Sequence, residues 1–131
     1  MTTPTVYPLE SPGREIADAM RANAANIRQD MRDGEYNFTR FDSTPGARYA
    51  VKQIMDCAEA ASAARSILWQ AAYDADNYAI RARFAFTWAE RAGYLARSME
   101  AAGDAVIQTA NLIAWSVQVR PFEETARQAL I

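Results

Sequence analysis

From Ala47 to Ala75 an apolar or small residue returns every three or four positions: Ala47, Ala50, Ile54, Cys57, Ala61, Ala64, Leu68, Ala71 and Ala75. Such a pattern forms one stripe along an α-helix but scatters over both faces of a strand, so the segment has to be helical. Most of its side chains are small, which lets a second helix axis come in toward the short end of the roughly 8 to 10 Å range. The stripe is therefore expected to meet another helix at short range, from the same chain or from a neighbour. Thr44-Pro45 ahead of it matches an N-cap followed by proline at the first helical position. The spacing predicts a helix over residues 45–74.

The same logic organises the rest of the chain. Ser11 as N-cap and Pro12 as first helical residue open a stripe of Ile16, Met20, Ala24, Ile27 and Met31, which Asp33-Gly34 closes. That predicts a helix over 12–33, preceded by an extended arm over 1–11 with Pro4 and Pro8 in it. Residues 35–44 read as a connector whose Tyr36, Phe38 and Phe41 pack on the helices. Asp76-Asn77 supplies a cap for a helix over 78–102 carrying Ile80, Phe84, Trp88, Leu95 and Met99. Gly93 and Gly103 each cost on the order of 1 kcal/mol relative to Ala, and a break is expected at Gly103-Asp104. A helix over 104–119 follows, with Val106, Ile107, Ala110, Ile113 and Val117 facing inward. Pro121 is expected to end it, because the residue before proline is pushed out of the α region. A short helix over 122–131, with Phe122, Ala126 and Leu130 on one side, completes the reading. The expected fold class is all-α: one domain over 1–131, an antiparallel bundle of four to five helices with an extended N-terminal arm.

Histidine is absent from the 131 residues. That removes the usual general base and the commonest metal ligand together. It excludes His-dependent triads, His-based zinc sites and the Glu-x-x-His pattern of di-iron bundles. No phosphate-binding glycine loop, CxxC pair or GxSxG elbow is present either. The expectation is a protein that is not an enzyme, with no cofactor and no metal. A net charge of -2, and arginines interleaved with acids around the single lysine Lys52, argue against a nucleic-acid partner. No run of about 18 apolar residues offers a membrane span. Residues 1–12 carry neither the basic region nor the apolar run of a signal peptide. With one cysteine there is no internal disulfide, and the expected location is the cytoplasm.

Cys57 sits on the small-residue stripe with no histidine to activate it, and reads as a small core hydrophobe. Asp56, Glu59, Glu90, Glu100 and Asp104 fall in no catalytic spacing and read as surface groups. Asn111 either fixes register between packed helices or faces water. The rings of Trp69, Tyr73, Tyr78, Phe84, Phe86, Trp88, Tyr94 and Trp115 admit three roles: core, interface or the lining of a flat-ligand pocket. Phe86 falls opposite Phe84 and Trp88 on a helix, and Trp69 adjoins the Leu68 stripe. A helix apolar on more than one side is buried from both sides, and in so small a bundle that favours a partner chain. The candidate interface residues are Ala50, Ile54, Cys57, Ala61, Ala64, Leu68, Trp69, Phe86, Trp88 and Trp115.

Asp104-Ala105-Val106-Ile107-Gln108, followed by Pro121-Phe122-Glu123 and Arg127, resembles the end of the acyl-CoA dehydrogenase superfamily and of the related flavin-dependent monooxygenases. Arg65 to Asp74 also resembles a helix of their C-terminal four-helix bundle, so the similarity spans residues 50–131. The chain departs from that pattern at Ala114-Trp115-Ser116, where the family has a Gly-Gly loop, at Glu124 for an arginine and at Gln128 for an aspartate. The family's flavin-holding domains have no counterpart here, so the activity does not carry over. The resemblance implies a small subunit associated with a flavin or an acyl group, with Arg127 as the carried-over contact. The residues themselves favour a helical structural or adaptor protein. It would pair with other copies of itself or sit in a larger assembly such as a virion or an enzyme complex.

Overall fold

A computed structural model describes residues 7–37 and 44–129. Among them the chain is all-helical, with three helices: α1 (Ser11–Asn37), α2 (Pro45–Arg83) and α3 (Trp88–Ala129). At about 1.5 Å per residue they are about 40, 58 and 63 Å long. Helices α2 and α3 form an antiparallel hairpin. Gly13 lies by Leu68, Asp18 by Arg65 and Arg28 by Met55, so α1 runs antiparallel to α2 and therefore parallel to α3. Ala17, Met20, Ala24 and Ile27 of α1 close over Ile54, Ala61, Ala64 and Leu68 of α2 and over Ala105, Leu112, Val119 and Ala126 of α3.

The expected all-α class holds, and the second helix starts where the sequence says. Thr44 is extended, and its hydroxyl accepts the Ala47 N–H at 3.2 Å. The division into four or five helices does not hold. Asp76-Asn77 does not interrupt α2. Asp and Asn favour caps, but in a helix interior each costs no more than about 0.7 kcal/mol. Here the stripe simply continues through Ala75 and Ala82, both buried. Gly103 does not break α3 either, because Ala101 and Ala105 on each side of it are buried against α2. Pro121 lies inside α3. It and Val117, whose carbonyl loses its donor, are both on the exposed side, where water replaces the missing bond. Phe122, Glu123 and Ala126 then hold the last turns on the core.

At the N-terminus the helix begins one residue earlier than expected. Arg14 N–H donates to the Glu10 carbonyl at 2.8 Å, which makes Glu10, not Ser11, the cap residue. Residues 7–10 form a turn rather than an extended arm, with Glu10 N–H donating to the Tyr7 carbonyl at 3.0 Å. Gly34 does not stop α1, which runs through Asn37. The rest of the expected arm (1–6), the connector positions 38–43 and the last two positions of the expected terminal helix lie outside the described residues.

Candidate interaction surface

The hairpin turn spans Phe84–Thr87 and is closed from both sides. Phe84 N–H donates to the Arg81 carbonyl at 3.2 Å and Ala85 N–H to the Ala82 carbonyl at 3.4 Å, finishing α2. Thr87 then caps α3: its hydroxyl accepts the Glu90 N–H at 3.1 Å, and its carbonyl accepts the Arg91 N–H at 3.0 Å. Glu90 reaches back to accept the Phe86 N–H at 3.3 Å. This is a capping box shifted by one residue.

A turn fixed this firmly holds three large rings in water: Phe84 is 77% exposed, Phe86 98% and Trp88 82%. The turn ahead of α1 reaches α2 only as far as Trp69 and Tyr73, on which the Tyr7 ring packs edge-on at 6.2 and 5.9 Å. Beyond Tyr73 the hairpin has no third helix among the described residues. Its two helices meet there through Ala75, Ala82 and Ala101, and the Ser98 hydroxyl donates to the Ala75 carbonyl at 2.7 Å. Tyr78 and Tyr94 stack across the seam at 6.4 Å, with the guanidinium groups of Arg81 and Arg97 over Tyr78 at 5.8 and 5.7 Å. Arg91 covers one face of Trp88 at 4.9 Å. Ile80, Leu95 and Met99 stay exposed.

The sequence-derived interface set divides in two. Ala50, Ile54, Ala61, Ala64 and Leu68 are buried, and helices of the same chain cover them. Cys57 and Trp115 are half-buried against that core. Trp69, Phe86 and Trp88 are exposed, although Trp69 stacks on Tyr73 at 5.4 Å. The surface left open to a partner is the uncovered hairpin end, which adds Phe84, Ile80, Leu95 and Met99 to the set. The Thr87-x-x-Glu90 spacing was the sequence signal for the turn that presents it.

Asp56, Glu59, Glu90, Glu100 and Asp104 are exposed, and so is Asn111. The two buried acids among the described residues are others. Glu10 folds back so that its carboxylate accepts the Tyr7 N–H at 3.1 Å. Glu123 lies 3.7 Å from Arg127. Glu123, Arg127, Arg120 and Asn23 line an open groove of ≈ 550 Å³ between α1 and α3. Burial pushes the Cys57 thiol above its ordinary range, and the neighbouring Asp56 carboxylate pushes it the same way. Its thiolate is therefore scarce at neutral pH, which fits a filler of the core edge.

Among the described residues no cluster of three or more His, Cys, Asp or Glu side chains is placed to hold a metal ion, and no helix is long and apolar enough to cross a membrane. No family model matches the chain, and no curated protein or solved structure matches it. Fold and surface together define an all-helical three-helix bundle with a protruding two-helix end.

Proposed function

We propose that this chain is a non-catalytic helical structural or adaptor subunit that associates with copies of itself or packs into a larger protein assembly, in the cytoplasm or within an assembled particle. The observation that carries the reading is the hairpin end, where Phe84, Phe86 and Trp88 are held almost fully in water by a capped turn. Exposed apolar clusters of that kind mark protein–protein contacts, and Phe and Trp are enriched in such contacts. Light scattering over a concentration series tests it. The wild type should associate, and Phe86→Ser should weaken association while leaving the melting temperature within a degree or two. A chain that stays monomeric at ~100 µM and binds no apolar dye at this end would overturn the reading.

The groove beside Arg120 and Arg127 supports a second reading, a small-molecule-binding bundle related to the flavin-dependent families. Glu123 and Arg127, which carry part of that resemblance, both line it. Titration with flavin mononucleotide and with coenzyme A decides it. Saturable binding lost in Arg127→Ala supports this reading, and its absence at ~1 mM ligand removes it.

A further inference from the structure

The exposed side of α3 carries a second apolar pattern, separate from the one that faces the core. Ala89, Ala96, Gly103 and Ala110 recur every seventh residue, and a column of larger residues, Met99, Val106 and Ile113, runs beside them. Ala92 extends the large column at one end and Val117 the small one at the other. The combined spacing alternates three and four residues without a slip from Ala89 to Val117, and every position is exposed. A strict 3–4 alternation over four heptads is the signature of a coiled-coil seam, not of a solvated face.

We infer that this seam is the contact between two copies of the chain, paired antiparallel along α3 about a two-fold axis between Asp104 and Ala105. The inference rests on the assembly reading above and names its partner as a second copy. Two observations single out that partner and that direction. First, the seam is complementary to itself only when antiparallel. Val106 then faces Gly103 of the other copy, Met99 faces Ala110, Ile113 faces Ala96 and Val117 faces Ala92, one larger residue against one small one in every layer. In-register parallel pairing would set Met99 on Met99 and leave Gly103 on Gly103 as a void. Second, the span from Ala89 to Val117 is about 42 Å at 1.5 Å per residue. A strip about 10 Å wide on each copy then covers about 840 Å² in total before side-chain relief is counted, which approaches the roughly 1,000 Å² that a specific contact needs.

Gly103 makes the test clean. A Cβ there meets nothing within 4 Å inside the chain, so a larger side chain strains nothing in the monomer but overfills the seam opposite Val106. Sedimentation equilibrium should give about twice 14.6 kDa for the wild type. Gly103→Leu should raise the dissociation constant at least 30-fold. Gly46→Leu, at an open glycine of α2 far from the seam, should leave it unchanged. Direction is read from spin labels in a Cys57→Ala background. Labels at Asp104→Cys should lie within about 20 Å of each other, and labels at Gln118→Cys about 40 Å apart, as the helical rise dictates. Two short distances would overturn the antiparallel pairing. Dimers that survive Gly103→Leu would overturn the seam and leave the assembly reading standing. A wild type that is monomeric throughout would overturn both.

Discussion

The body of the bundle and its protruding end are built from the same two helices, yet they solve burial in opposite ways. In the body, α1 supplies a third wall, and large side chains turn inward: Ile54, Leu68 and Leu112 are fully buried under Met20 and Ile27. Past Tyr73 the described residues supply no third wall. Two helices alone enclose little volume, so only small residues such as Ala75, Ala82 and Ala101 are covered, and the large ones point to water. The difference teaches that burial in the body depends on α1 and not on the α2–α3 contact alone. The exposed Phe84, Phe86, Trp88 and Met99 are the side chains that the proposed assembly would cover.

Substitutions can break that comparison. The largest effect belongs to the body. Leu68→Ala should cost about 2–5 kcal/mol in urea unfolding, as a fully enclosed leucine does, and a loss below ~1 kcal/mol would mean that α1 does not close the body. Two glycines sharpen the contrast next. A Cβ on Gly13 would run into the Leu68 side chain and lie 3.0 Å from Thr109 Oγ1 and 3.3 Å from Leu112 Cδ1. Gly13→Ala should therefore destabilise by about 1–3 kcal/mol. Gly103→Ala, in open space, should instead stabilise by up to about 1 kcal/mol through helix propensity. If both changes have the same sign, body and end are not packed differently. Thr87→Ala should cost about 1 kcal/mol by removing the α3 cap, and it should loosen amide protection around the turn before it affects the body.

The smallest effect concerns Cys57. Its folded-state pKa is raised above the ordinary 9.0, so the folded chain holds the thiol proton more tightly than the unfolded one. Any resulting stability is present below the unfolded value and lost as pH rises through the folded value. Iodoacetamide should therefore modify the native chain more slowly than the urea-unfolded chain at pH 8, with the gap closing at higher pH. Equal rates at pH 8 would show that α1 leaves the thiol open.

Much of the fold was legible in the sequence, and the reason is periodicity. The stripe from Ala47 to Ala75 is buried at every predicted position except the half-buried Cys57, and Thr44-Pro45 marks its start. The helix count was not legible, because Asp76-Asn77, Gly103 and Pro121 are breakers only when nothing else holds the helix. Each sits in α2 or α3 where packing against the other helix, or exposure to water, offsets its local cost. The true end of α2 lay at Phe84, inside a stretch that looks helical by pattern and is interrupted only by the Thr87-x-x-Glu90 cap. The surface was half legible. Trp69, Phe86 and Trp88 were named from sequence, but the small-residue stripe beside them turned out to be this chain's own core. Periodicity gave the covered face of α2 but not that of α3, where Val106, Ile107, Ala110, Ile113 and Val117, expected to face inward, are exposed, because the contact with α2 is made through Ala101, Ala105 and Leu112 instead.

Hydrogen exchange at two protein concentrations tests the central claim most directly, that the hairpin end is open in the single chain and covered in an assembly. At low micromolar concentration, backbone amides of residues 76–104 should exchange far faster than those of residues 54–68. At several hundred micromolar the first set should slow by an order of magnitude or more, while the second stays constant. Exchange that is uniform along α2 and α3, or protection that ignores concentration, would contradict it.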